Sequence, residues 1–139
     1  MKRYNKVFFL VQFFFYLVIG LSPFLNKLQA QIAIGKPTFP FTQICANPSF
    51  NTFDINFSFT PTSGITASNQ FIVEMSDGNG SFATPTVVYT SVAGAITTSP
   101  AKITFSVPVT TSGEAYRLRI RSTSPAATSQ LSNPFPAYY

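Results

Sequence analysis

Alternation of apolar and polar residues with a period of two dominates the chain. Phe53, Ile55, Phe57 and Phe59 alternate with Asp54, Asn56 and Ser58, which puts four large apolar side chains on one face of a half-buried strand. Pro61-Thr62-Ser63-Gly64 then punctuates, and Phe71 to Ser76 predicts a second strand with Phe71, Val73 and Met75 inward. Asp77-Gly78-Asn79-Gly80 supplies residues that tolerate positive φ, so a hairpin is expected, with Phe82 through Tyr89 returning. Ile103, Phe105 and Val107 alternate with Lys102, Thr104 and Ser106, and Tyr116, Leu118 and Ile120 alternate with Arg117, Arg119 and Arg121. An opening strand over Phe41 to Cys45 and a closing one around Leu131 bring the expectation to about seven strands in two antiparallel sheets. No segment carries a convincing helical period.

The amino-terminal 30 residues follow another pattern. Lys2, Arg3 and Lys6 precede Val7 to Leu21, an almost unbroken apolar run, as in a Sec-type signal peptide helix. Fifteen positions, broken soon by Pro23, Asn26 and Lys27, fall short of the about 20 apolar residues a membrane span needs. Leu28-Gln29-Ala30 offers a cleavage site after Ala30, so the mature chain is expected to begin at Gln31. An uncleaved anchor is the rival. Lipid attachment is disfavoured because Cys45 lies far past the apolar run, behind Gln43-Ile44. Residues 1–30 are thus read as signal and 31–139 as one domain, secreted or on the outer cell surface, with no membrane span after cleavage.

Subtracting the signal changes the charge. The whole chain has nine basic and four acidic residues. Without Lys2, Arg3, Lys6 and Lys27, five basic residues face four acidic ones, a net charge of +1. Nucleic-acid binding, which needs a phosphate-matching excess of Lys and Arg, loses its support. Ten of the 16 phenylalanines lie after residue 30 and supply the core. Cys45 is the single cysteine, so no internal disulfide forms. It is expected as a small buried apolar side chain, the alternative being a partner in another domain or chain.

Chemistry is scarce. With no histidine in the chain, triads and common zinc sites lack their usual base or ligand. Paired carboxylates could still run glycoside hydrolysis, but only Asp54, Glu74, Asp77 and Glu114 exist, most of them at outward strand positions or turns. Asp77-Gly78-Asn79 has the opening of a calcium loop without its later acidic ligands, and a Gly-rich turn explains the same residues. No catalytic, cofactor-binding or metal site is expected. Arg117, Arg119 and Arg121 project from one strand face at intervals of about 6.6 Å, a cationic stripe able to grip an anionic glycan or a carboxylate-bearing partner. The competing account is a solvated face whose long stems cover apolar surface and discourage edge pairing.

At Ala115-Tyr116-Arg117-Leu118-Arg119-Ile120-Arg121 the chain resembles the penultimate strand of immunoglobulin-like and fibronectin-III-like sandwiches. The resemblance implies that the Tyr116 ring enters the core while its hydroxyl bonds to backbone at the sheet corner. The chain has no tryptophan and no second cysteine, so the antibody-type core is absent. Ser76-Asp77-Gly78-Asn79-Gly80-Ser81-Phe82, Pro85-Thr86-Val87-Val88, Tyr116 to Ile120 and Ser124-Pro125-Ala126 together resemble a module of large surface proteins of gliding bacteria exported by the type IX secretion system. That likeness implies a noncatalytic stalk, spacer or adhesion module. Its partners would be neighbouring domains, a glycan or a surface protein. Pro134-Phe135-Pro136-Ala137-Tyr138-Tyr139 is read as the entrance to a following domain and the chain as an amino-terminal fragment. Phe39, Phe41, Phe135, Tyr138 and Tyr139 are expected as exposed aromatics that pack against a neighbour or stack on sugars. The alternatives weighed are a stand-alone carbohydrate-binding module and a self-assembling fibre subunit.

Overall fold

The alternating segments find their partners by matching apolar faces. A computed structural model describes residues 31–139, and the expected signal peptide lies outside the described residues. Strand β3 (Phe53–Phe57) buries Phe53, Ile55 and Phe57 and pairs antiparallel with β7 (Ala101–Phe105), setting Phe53 opposite Phe105 and Ile55 opposite Ile103. Such cross-strand apolar pairs fix the register, because a slip of one residue would turn every phenylalanine to solvent. The chain breaks at Ser58 and continues as β4 (Phe59–Thr60), which pairs with β1 (Ala33–Ile34). Further along, Thr38 and Asn56 exchange backbone hydrogen bonds of 2.9 and 2.8 Å, so the first segment flanks β3 on the side away from β7.

The second group of strands centres on β5 (Phe71–Met75), which lies between β6 (Thr86–Thr90) and β9 (Leu118–Thr123) with β10 (Ala126–Thr128) beyond, all antiparallel. Only Arg117 separates β9 from β8 (Gly113–Tyr116). β8 pairs with β11 (Phe135–Tyr138), and β11 pairs in parallel with β2 (Ile44–Cys45). Thr62–Gly64 forms a short 3-10 turn at the predicted punctuation, the only helical element among the described residues. The fold is all-β, consistent with a β-sandwich. Among the described residues no helix is long and apolar enough to cross a membrane.

One aromatic core joins these sheets. Phe57 and Phe59 lie 5.1 and 5.0 Å from Phe71, and Tyr116 and Phe53 meet Phe135 and Phe41 towards the other end. Each such side chain removed from water contributes roughly 1.5–3 kcal/mol. Buried serines complete the backbone accounting where ladders break. Ser132 Oγ accepts the Leu118 N–H at 2.9 Å, Ser129 Oγ that of Ile120 at 2.9 Å, and Ser91 Oγ that of Phe71 at 2.9 Å. A hydroxyl can accept this bond and donate another, so these amides stay satisfied without a neighbouring strand carbonyl.

Several expectations need correction. Among the described residues eleven short strands replace seven, because two long predicted strands are interrupted, β1 precedes the expected opening strand, and two strands stand in place of one at the close. Leu131 lies outside any strand, 38% exposed, in the stretch that Ser129 and Ser132 tie to β9. The closing strands are β10 and β11 instead. Phe135 and Ala137 are buried, so β11 contributes to this core, and Phe135 is not the exposed aromatic expected. Cys45 is exposed, because Ile44 and Ala46 take the inward positions on either side of it.

Candidate functional site

The cationic stripe lies on the outer face of the sheet built around β5. In β9, Leu118 and Ile120 are fully buried, so the intervening Arg119 and Arg121 face outward. In β5 the same alternation turns Ile72 and Glu74 to that outer face, and the register sets Glu74 opposite Arg119 and Ile72 opposite Arg121. Arg119 Nε donates to Glu74 Oε2 at 2.7 Å, and Arg121 Nη1 donates to Glu74 Oε1 at 2.7 Å. Each carboxylate oxygen is thereby held by its own guanidinium. The Glu74 side chain retains only 3% exposure, against 24% for Arg119 and 43% for Arg121.

A turn supplies the rest of the cover. Asp77 Oδ1 accepts the backbone N–H groups of Asn79 and Ser81 at 3.0 and 2.8 Å, and Gly80 adopts φ +87, a conformation that suits glycine. The chain then brings Phe82 beside the stripe, with the Arg119 guanidinium carbon 4.5 Å from the ring centroid. Arg117 does different work. Its backbone N–H donates to Ser76 Oγ at 2.8 Å, and its Nη1 donates to the Ser132 carbonyl at 3.0 Å, bracing two loops. Arg119 and Arg121 therefore form one cluster with Glu74, and Arg117 stands apart from it.

The remaining acidic groups are engaged elsewhere. Asp54 accepts from Lys102 at 3.0 Å and Thr104 at 2.6 Å; these two hydrogen bonds, Thr104's foremost, hold its carboxyl below the ordinary value near 3.8. Glu114 accepts the Tyr138 hydroxyl, which raises the Tyr138 pKa above its ordinary value. Asp77 serves the turn just described. Among the described residues no three of His, Cys, Asp and Glu gather as a metal site would require.

The aromatic residues expected at the surface divide. Phe39 and Phe41 stack on each other at 4.2 Å, with their edges and faces also meeting Phe135, so they pack into the domain more than they present a sugar platform. Tyr138 and Tyr139 are exposed. Tyr116 is 8% exposed, and its hydroxyl donates to the Ser112 carbonyl at 3.2 Å. Gly113 makes room for it: a Cβ there would come 2.8 Å from Gly78 Cα and 3.1 Å from the Tyr116 ring.

Sequence reasoning missed two members of the cluster. Glu74 is the one charge in an otherwise apolar strand, a signal that it meets a partner, but the partner depends on cross-strand register. Phe82 gives no signal separable from an ordinary core aromatic. Neither known protein-family models nor curated proteins match the chain.

Proposed function

We propose that the chain is a noncatalytic immunoglobulin-like or fibronectin-III-like module of an exported bacterial protein, acting as a stalk, spacer or adhesion domain. Its setting would be the surface of a gliding bacterium using type IX secretion. The observation that carries the fold type is the Tyr116 corner, in which a core-entering ring anchors its hydroxyl to Ser112 four residues upstream. The strand wiring supports it: β1, β3–β4 and β7 associate separately from β2, β11, β8–β9, β5 and β6. For the noncatalytic role, the support is that each carboxylate already serves a structural partner and that the chain has no histidine. The test is fractionation of the producing cells with intact-mass analysis, following peptides from Phe71 to Arg121. A surface or culture-medium species that starts at Gln31 and continues past Tyr139 supports the module. A species confined to the cytoplasm, with residues 1–30 retained, overturns it.

One observation favours a second reading, a self-assembling subunit. Among the described residues strand β6 has β5 as its one paired neighbour, and the segment from Ser81 to Ala101 carries no charged residue. Lys and Pro within edge strands normally blunt such pairing. Sedimentation showing concentration-dependent assembly, abolished by Val87→Lys, would favour this reading; a monomer at all concentrations would dismiss it.

A further inference from the structure

Three strands present matched rows on the outer face around β5. One row runs Arg121, Ile72, Thr90, and the next runs Arg119, Glu74, Val87. Adjacent strands lie about 4.8 Å apart, so a row spans about 10 Å, the scale of one or two sugar rings. The first row carries a cation at one side, an apolar side chain in the middle and a hydroxyl at the other side. Val87, 55% exposed, extends the apolar strip in the second row. A sugar acid has the same sequence of chemistry, with an anionic group, an apolar ring face and hydroxyls.

The cations in these rows are oriented in advance. A guanidinium has five N–H donors. Within the described residues Arg119 uses Nε on Glu74 and Arg121 uses Nη1 on Glu74, leaving the other nitrogens of both without a hydrogen-bonded partner. Two cations sharing one buried anion keep a net positive charge, and the shared Glu74 removes much of the rotamer entropy that an anion would otherwise have to freeze. Two of the five basic residues in 31–139, Arg119 and Arg121, lie in this cluster, although the segment's net charge is only +1. The attraction is therefore local, suited to spaced single charges and not to a dense polyphosphate.

From this geometry we infer that the outer face of β5, β6 and β9 binds an anionic polysaccharide, with Arg119 and Arg121 receiving its carboxylate or sulfate groups. The inference rests on the adhesion-module reading and gives that module a ligand class. The probes are polygalacturonate for carboxylate, dextran sulfate for sulfate ester, neutral dextran, and poly-glutamate for a protein-like carboxylate. They would be tested by calorimetry on the secreted protein that begins at Gln31.

Binding of either anionic polysaccharide, but not of neutral dextran, is expected, and the tighter of the two identifies the group recognised. Arg121→Ala should weaken it about tenfold, the scale of one lost charge-assisted contact. Glu74→Gln separates an oriented site from diffuse charge. It makes the protein more positive, yet should weaken binding about fivefold because the arginines lose their anchor. Lys102→Ala, on the other sheet, should leave binding unchanged. Thermal melts check that each variant is folded, and Arg121→Gln stands in should Glu74→Gln not fold. Absence of binding to both polysaccharides overturns the inference, as does tighter binding by folded Glu74→Gln or equal binding of poly-glutamate with the same variant dependence. Those failures leave the module standing, since its own test reads location and mass, whereas a cytoplasmic protein would sink the module whatever its affinity.

Discussion

Glu74 on β5 and Asp54 on β3 are the acidic residues on the outer faces of two central strands, and each draws partners from the adjacent strand. Glu74 takes Arg119 and Arg121. Asp54 takes Lys102 and Thr104. Their surroundings differ. The Glu74 side chain is 3% exposed, whereas Asp54 and Lys102 are 38% and 61% exposed. Apart from the exposed Lys102, the face around Asp54 carries short polar side chains, Asn56, Thr104 and Ser58, which leave water in contact with the charges. Around Glu74 stand two long guanidinium stems and the Phe82 ring, which exclude it. A strand's alternating pattern sets which way a charge points, while the side chains packed around it set whether the charge stays wet. A wet pair is screened and contributes little. A dry one contributes little net stability once desolvation is counted, but breaking it leaves a buried charge without compensation.

The contrast breaks most visibly at Arg119. Arg119→Ala should destabilise the domain by about 2–3 kcal/mol, less than the 3–5 kcal/mol of a fully orphaned buried charge because Arg121 still holds one oxygen of Glu74. In a domain of this size that is a fall in melting temperature of about 10 °C or more. A double-mutant cycle of Arg119→Ala with Glu74→Ala should show strong positive coupling, with the double variant more stable than the single arginine deletion. Additive effects would mean that Glu74 is solvated in solution and that the two faces do not differ.

How far the contrast was legible beforehand follows from what each feature depends on. The inward sets Phe53, Ile55, Phe57 and Phe71, Val73, Met75 were readable because strand side chains alternate whatever the partner strand. The buried Tyr116 ring and its backbone-bonded hydroxyl were expected only through the resemblance of its strand to that of known sandwiches, and the acceptor, Ser112, was not named. The Asp77 to Gly80 turn was readable because its residues are local in sequence. Glu74 was placed correctly on an outward position but not recognised as buried, since burial came from Arg119 and Arg121, about 45 residues away, and from a loop that returns Phe82. The breaks at Ser58 and Arg117 were invisible because the apolar alternation runs through both while the strand pairing changes. The serines that accept the Leu118, Ile120 and Phe71 amides were invisible too. Their abundance fits a β-rich domain, but which amide lacks a carbonyl depends on where a neighbouring strand leaves the ladder.

Those serines separate the contribution of backbone hydrogen bonds from that of charges. Ser132 is fully buried beside β9 and accepts the Leu118 N–H. Ser132→Ala leaves that buried amide without its acceptor and should cost about 1–2 kcal/mol. The loss should be insensitive to salt, because no ion is involved. In 1 M sodium chloride, where the Debye length is about 3 Å, the penalty of Arg119→Ala should also largely persist, since the Glu74 pair is shielded from the electrolyte. A penalty that disappears in salt would place Glu74 with Asp54 among the wet pairs.

The smallest effect expected is at Asp54 itself, and its pH dependence is the informative part. Hydrogen bonds from Thr104 and Lys102 favour the ionised carboxylate and hold its pKa below the ordinary 3.8. A group whose pKa is lower in the folded than in the unfolded chain stabilises the fold where both states are ionised, above the unfolded value. That contribution disappears as pH falls through the folded value, where the native carboxylate also takes up a proton. Asp54→Asn should therefore lower the melting temperature slightly at neutral pH, by less than any change above, because both partners remain in water. Melts of wild type and variant from pH 7 downward should run parallel until about pH 4 and converge below it. Curves still parallel at pH 2 would show that Asp54 acts through the shape of its contact with Thr104 and not through charge. The distinction between the two faces would then rest on packing alone.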